Sequence, residues 1–341
     1  MSGKVRLGKT STSRTRAKAK TPVLSAEELQ LKEAVKSGDI GFVDYLLAKG
    51  YSSSTVKRYL RDMKRFEVWA EQENTPIETV SYSDILHYIQ SKKGSVQQNT
   101  ISAFTNGLKH YFAHLVVSGV VKENPVSQVK IKGIKRKKLY TILSKKELEQ
   151  LYHEYSPIEE GRFKNQNWYK ASLLTNKRNK VMIGLMIYQG LNATELTRLT
   201  EKDIKLREGR IFIAGTRRSN ERELKLESVQ ILDLMEYTLK TRAELLQFTA
   251  VETDQLLISA SGSTKINNAL FRLIQQLQKI NSKVNNLKQI RTSVITHWLK
   301  IYNLRETQYM AGHRYVSSTE SYRINDLEDL QEDITKFHPI S

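Results

Sequence analysis

The chain has 341 residues, with 55 Lys and Arg against 36 Asp and Glu and a formal net charge of +19. That length accommodates two ordinary domains with cores of their own, and the positive excess points to a polyanionic partner, nucleic acid first. Cysteine is absent, which excludes disulfides and thiolate metal sites and fits a reducing cytoplasm; no apolar run is long enough to span a bilayer, and the amino terminus lacks the apolar core of a secretory signal.

Residues 1–24 open with seven Lys or Arg and no acid in the first twenty positions, so they are expected to form a disordered basic arm. Residues 25–127 read as a helical domain. After a first segment around Leu29, Leu31, Ala34 and Val35 and a short helix with Phe42, Val43, Leu46 and Leu47, the spacing predicts a helix over 54–72, capped by Ser53 or Ser54. Val56, Tyr59, Leu60, Met63, Phe66, Val68 and Trp69 fall largely on its apolar face, while Lys57, Arg58, Arg61, Lys64 and Arg65 form a basic stripe suited to phosphate contacts. Further helices are expected from Ser81, carrying Ile85, Leu86, Tyr88 and Ile89, and over 97–118.

Asn124-Pro125 stops the last of these helices. The linker 128–140 follows, its six Lys and Arg including Lys135, Arg136, Lys137 and Lys138, a composition that can track a DNA backbone. A second domain, 141–341, begins at Leu143-Ser144-x-x-Glu147, a capping box. Residues 156–176 read as a loop with part of a helix, and 179–189 as an apolar helix leading to Gly190-Leu191-Asn192-Ala193-Thr194-Glu195-Leu196. Strands are expected at 203–204, 210–214 and 222–226, with 215–221 as a hairpin loop.

Positions 287–322 carry the chemistry. Arg291, His313 and Tyr322 stand 22 and then 9 positions apart. A tyrosine hydroxyl can displace a phosphate oxygen and form a covalent ester, an arginine fork can hold the non-bridging oxygens, and a histidine can donate to the same phosphorane or move a proton. Val294, Ile295, Trp298, Leu299 and Tyr302 put Arg291 at the start of an amphipathic helix, Gly312 ends a second short helix just before His313, and 317–320 read as a cap leading into a helix that bears Tyr322.

Lys288-Gln289-Ile290-Arg291, Gly312-His313 and Thr319-Glu320-Ser321-Tyr322 resemble the His-x-x-Arg, Gly-His and Thr-x-x-Tyr pattern of the tyrosine recombinase (integrase) family, and Gly190 to Leu196 resembles its Gly-Leu-Arg-x-x-Glu-Leu motif. The resemblance implies a mainly α fold with a small β-sheet, a helical core-binding (SAM-like) domain preceding an α+β catalytic domain. It implies site-specific cutting and rejoining of double-stranded DNA through a 3′-phosphotyrosyl intermediate on Tyr322, supported by Arg291, Lys288 and His313, with no cofactor or metal. A homotetramer on DNA, a mobile element as the source of that DNA and a cytoplasmic, nucleoid-associated location go with it. Three positions depart from the pattern: the first arginine is Asn192, the hairpin lysine is Thr216, and the first histidine is Lys288. Either Arg217 or Arg218 approaches the phosphate from the hairpin, Arg218 being expected to face inward by strand alternation, or the chain is a DNA-binding accessory factor that no longer cleaves.

Residues 325–334 read as an acidic amphipathic helix with Leu327, Leu330 and Ile334 on one side, which either docks on a neighbouring protomer, as the resemblance implies, or packs on its own domain.

Overall fold

A computed structural model describes residues 40–133, 140–156 and 167–323, apart from 217, 251, 262, 264 and 265. The basic arm, the segment around Leu31, the linker cations Lys135, Arg136, Lys137 and Lys138, the hairpin Arg217 and the acidic tail all lie outside the described residues. The fold is mainly α with one small sheet, and the chain divides into two compact units, Met1–Lys138 and Leu139–Ser341.

The first unit contains α1 (Ile40–Ala48), α2 (Ser53–Gln72), α3 (Tyr82–Lys92) and α4 (Gln98–Val117). In α2 the residues Val56, Tyr59, Leu60, Met63, Phe66 and Trp69 recur at three and four and are buried against the other helices, the spacing that keeps one stripe of a helix inside. Val68, read as part of that face, is 54% exposed, because it sits one position off the stripe; Leu86 on α3 is likewise exposed. Ser52 rather than Ser53 or Ser54 occupies the cap position of α2, its hydroxyl bonded to those of Ser54 and Thr55. α2 and α4 approach closely at Gly107, where an added Cβ would lie 3.2 Å from the Tyr59 ring. Ser81 and Asp84 form a capping box at the start of α3.

The second unit opens with α5 (Lys145–His153), whose capping box of Ser144 and Glu147 is the one expected. α6 (Asn167–Ile187) starts twelve residues before the apolar run that marks it in sequence, and its carboxyl half buries Val181, Met182, Ile183, Leu185 and Met186, so it is covered nearly all round. The middle of the helix carries buried polar groups that find distant partners: Arg178 donates to the Ile258 carbonyl at 2.7 Å and Asn179 to Tyr155 Oη at 3.0 Å. After α7 (Ala193–Arg198) comes an antiparallel sheet ordered β1 (Ile204–Lys205), β2 (Arg210–Ile213), β3 (Arg222–Lys225), with Ile213 opposite Arg222 and Ile211 opposite Leu224. Ile211, Ile213, Arg222 and Leu224 are the inward members of these two strands.

α8 (Ser228–Glu236), a π-helical turn at Tyr237–Thr241 and α9 (Arg242–Thr249) continue as one path, followed by α10 (Asn267–Ile280), α11 (Leu287–Ile301), α12 (Leu304–Ala311) and α13 (Val316–Glu320). α11 is central. It buries Ile290, Val294, Ile295 and Trp298, and its polar side chains hold the entry of the unit: Ser293 Oγ accepts from Leu143 N at 2.9 Å, and His297 Nε2 meets the Leu143 carbonyl at 2.7 Å. Gly190 packs beneath it with φ +60, where a Cβ would come within 3.1 Å of the Trp298 ring. Among the described residues no helix is long and apolar enough to cross a membrane.

Candidate active site

The site is assembled by four short pieces of chain that meet around Glu195. Asn192 caps α7, its Oδ1 accepting from Thr194 N at 2.9 Å and Glu195 N at 3.0 Å, and Glu195 closes the reciprocal bond to Asn192 N at 3.0 Å. Position 192, which the motif resemblance pairs with the family's first arginine, is therefore engaged as a helix cap. That cap fixes the first turn of α7 and holds Glu195, 4% exposed, where its two carboxylate oxygens each meet a guanidinium group.

Arg222 on β3 donates through Nη1 to Glu195 Oε1 at 2.8 Å, and Arg291, five residues into α11, donates through Nη1 to Glu195 Oε2 at 3.1 Å. Arg291 also donates to the Gly190 carbonyl and, through Nη2, to the Ala311 carbonyl at 2.6 Å. Burial pushes the Glu195 carboxyl upward, but the bond from Arg222 and the charges of Arg291 and Arg222 outweigh it and hold the group below its ordinary range. Arg222 is 2% exposed, and its Nε and Nη2 have no hydrogen-bond partner.

Gly312 ends α12 with φ +67, as the sequence anticipates, and turns the chain so that His313 enters the site. The hairpin loop supports this turn: Asn220 N donates to the Gly312 carbonyl at 3.0 Å, and Ser219 forms a β-bridge with His313. His313 Nδ1 lies 2.9 Å from Thr319 Oγ1, and the ring stacks on Tyr322 with centroids 5.5 Å apart. Burial, then the charges of Arg291 and Arg222, push the imidazole down to about 4, so it is neutral at physiological pH. Tyr322 is half-buried in the turn that follows α13, with Tyr322 N bonded to the Thr319 carbonyl at 3.0 Å. Residues 317–320, expected as a cap before a helix bearing Tyr322, are themselves in the helix, which has Tyr315 at its cap position without a side-chain cap bond and ends before Tyr322; Thr319, buried within it, is turned to His313 and so does not cap.

Of the residues singled out in sequence, Arg291, His313 and Tyr322 come together. Lys288 does not join them: it is exposed in the first turn of α11, its ammonium 5.9 Å from the Tyr140 ring centroid. Arg218 does not reach inward. It is exposed, with its backbone N bonded to Thr216 Oγ1 at 3.1 Å, because 216–219 close as a tight turn in which Thr216 Oγ1 also accepts from Ser219 N at 3.1 Å. Thr216, which the resemblance pairs with the family's hairpin lysine, is thus a turn-former. The guanidinium that does enter from the hairpin is Arg222, which strand pairing turns to the same face as Leu224. Glu195 as the hub was readable only as an i to i+3 capping partner of Asn192, and Thr319 as the histidine's partner carried no separate signal. Among the described residues no cluster of His, Cys, Asp or Glu could hold a metal ion.

In the first unit, Lys57, Arg58, Arg61, Lys64 and Arg65 are all exposed on the face of α2 opposite its core stripe. Asp62 is buried between them; burial raises its carboxyl, against the opposing pull of Arg61, Arg58 and Arg65.

Two family models match the chain: the phage integrase family over residues 141–328, and the phage integrase N-terminal SAM-like domain over 40–119. Similar proteins include the tyrosine recombinase XerC of Oceanobacillus iheyensis, 24% identical over 87% of this chain and 94% of the relative, and that of Bacillus subtilis, 24% identical over 87% and 95%. Among solved structures, the XerH site-specific recombinase bound to palindromic difH substrate in a post-cleavage complex has a TM-score of 0.64 at 18% identity, covering 91% of this chain and 87% of that one.

Proposed function

Because the chain belongs to the phage integrase family of tyrosine recombinases, we propose that it is a site-specific DNA recombinase that cuts and rejoins strands through a 3′-phosphotyrosyl link on Tyr322. The observation that carries this reading is the convergence of Arg291, Arg222, His313 and Tyr322 around Glu195, in a unit whose family match spans all five. In the forward step the Tyr322 oxygen gives up its proton and bonds to phosphorus, the phosphorus–O5′ bond breaks, and the leaving 5′-oxygen takes a proton. Attack by a 5′-hydroxyl reverses these changes on a new strand, so one phosphodiester is conserved and no nucleotide is hydrolysed. Arg291 stabilises the charge that builds on the non-bridging oxygens. His313 is neutral and donates to the same oxygens when Thr319 holds its Nδ1 as acceptor.

The exposed cations of α2 give the amino-terminal unit a face for the DNA backbone. The protein acts on double-stranded DNA as a homotetramer in the cytoplasm. That the DNA is the end of a mobile element is the narrowest part of the proposal, and amplification across an excised circle junction tests it.

A second reading has its own observation. Asn192 and Thr216 stand where relatives carry cations, and both are engaged as a helix cap and a turn-former, which suits an accessory factor that binds DNA without cutting it. One experiment separates the two. Binding sites are selected from random-sequence duplexes, a nicked duplex of the selected sequence is incubated with the protein, and denaturing gels are read for a covalent adduct. The recombinase reading expects an adduct that Tyr322→Phe abolishes while DNA affinity stays within about twofold, since only the nucleophilic oxygen is removed. DNA binding with no adduct from the parent protein establishes the accessory factor instead.

A further inference from the structure

We infer that Arg222 is the second phosphate-binding guanidinium of the site, supplied from strand β3 in place of the arginine that Asn192 has replaced. The assignment rests on the strand-transfer reading above and names the group that completes it.

Three observations carry it. The first is unfinished bonding. Arg222 is 2% exposed, only its Nη1 has a partner, and Nε and Nη2 are left without one in the interior. Buried donors without partners are costly, and an arginine kept only for its ion pair would be expected to satisfy its fork. Arg291, anchored by the same carboxylate, is bonded through both terminal nitrogens. The second is charge. Two guanidinium groups share one carboxylate, and the histidine beside them is neutral, so the cluster holds one uncompensated positive charge away from water. A phosphodiester supplies one negative charge, and the phosphorane formed during attack supplies two. The third is placement. Arg222 lies against Gly312, the residue before His313: a Cβ built on Gly312 would fall 2.9 Å from Arg222 Cζ. The only described α-carbon without a side chain in that turn thus lies over the guanidinium, and the next residue stacks on Tyr322.

Among the described residues of the second unit, no other cation offers this combination. Arg218 and Lys288 are exposed and have no bond to Glu195, Arg291 or His313. Since Arg222 has no solvent access in the free protein, a phosphate reaches it as the 312–313 turn shifts on the hairpin, to which one hydrogen bond from Asn220 and the Ser219 bridge tie it.

The test compares adduct formation by the full-length parent, Arg222→Gln, Arg222→Lys and Arg222→Gln/Asn192→Arg on two nicked duplexes of the selected sequence. One has an ordinary scissile phosphate and the other a methylphosphonate, which is neutral and needs less cationic support. On phosphate, Arg222→Gln should be slower than the parent by about a hundred- to a thousandfold, the loss typical of one preorganised donor. On methylphosphonate the deficit should shrink to within about tenfold, and Asn192→Arg should recover at least about tenfold on phosphate by restoring a guanidinium from the other side. Arg222→Lys retains the ion pair with Glu195 but not the fork, and carries the same comparison if the glutamine variant does not fold. Arginine-to-glutamine and arginine-to-lysine variants that match the parent on phosphate overturn the assignment while leaving the recombinase reading intact. So does a deficit that is equal on the two duplexes, which marks a structural role. A parent that forms no adduct on either duplex removes the strand-transfer reading and this assignment with it.

Discussion

Replacing Glu195 by glutamine should be among the most damaging single changes in the second unit, although it alters one atom. Glu195 is 4% exposed and accepts from Arg222 at 2.8 Å, Arg291 at 3.1 Å and its own cap residue at 3.0 Å. The amide keeps the shape but removes the charge, turns an NH2 toward one guanidinium, and leaves two buried cations facing each other. Breaking a buried ion pair by neutralising one partner typically costs about 3–5 kcal/mol. In a unit of this size each kcal/mol moves the melting midpoint by about 2–4 °C, so a fall of roughly 8–16 °C is expected for a cost of about 4 kcal/mol. Calorimetry of the two proteins at pH 7 reads it. The sign with pH follows from the direction of the carboxyl's shift: because Glu195 is held below its ordinary value, its contribution is present above that value and disappears as pH falls through the folded one, so the gap between the proteins narrows in acid. Pairing Glu195→Gln with Arg222→Gln removes one of the stranded cations, and the double variant should lose at least about 2 kcal/mol less than the sum of the singles. A midpoint within about 2 °C of the parent, or additive losses, would refute the view that one carboxylate organises both arginines.

Three further outcomes are expected. Gly312→Ala forces a left-handed residue to carry a methyl that meets the Arg222 guanidinium, whereas Gly209→Ala, also at positive φ, meets nothing within 4 Å; the first should cost at least about 1 kcal/mol more in urea unfolding and alone slow adduct formation, and equal costs would refute the contact. The His313 ring is held down at about 4, below its ordinary 6.5, so its contribution to stability is complete above 6.5 and is lost as pH falls toward 4. Between pH 7 and pH 5 the parent should therefore lose about 1–2 kcal/mol more in urea unfolding than His313→Gln, and parallel pH profiles would show that the ring is not buried as described. Replacing Arg58, Arg61 and Arg65 together by alanine should lower the slope of log affinity against log salt by about 2–3 if each meets a phosphate, and an unchanged slope would return the α2 stripe to ordinary solvated surface.

What could be read directly from sequence was whatever is decided within one turn of chain. Ser81 with Asp84 and Ser144 with Glu147 fix helix starts through bonds three residues long, and Gly312 fixes a helix end through its own backbone freedom. Arg291, His313 and Tyr322 were legible for a different reason, since their flanking residues resemble a known pattern. The start of α6 was not, because the described part of its first three turns buries only Tyr169, Leu174 and Asn176, and Asn176 accepts from Tyr155, a partner that no local spacing announces. The inward facing expected of Arg218 failed on a physical point. Alternation of side chains holds only while the chain is extended, and the tight turn at Thr216 and Ser219 breaks the count before β3 restarts it.

On the proposal that Arg222 binds the phosphate, that restart explains how the site changes one of its cations without losing its charge. The motif resemblance puts the family's first arginine at position 192; here Asn192 caps the helix that bears the glutamate, and the cap bonds hold Glu195 in place. The carboxylate then receives a guanidinium from β3, where pairing of Arg222 with Ile213 sets the side chain inward without needing any residue of the loop. In that proposal the cation's position is fixed by the sheet and its charge is matched by the glutamate, which leaves position 192 to serve the helix and position 216 to close the turn. Two apparent losses in the sequence are, on this view, consequences of one relocation, and they stand or fall together with Arg222.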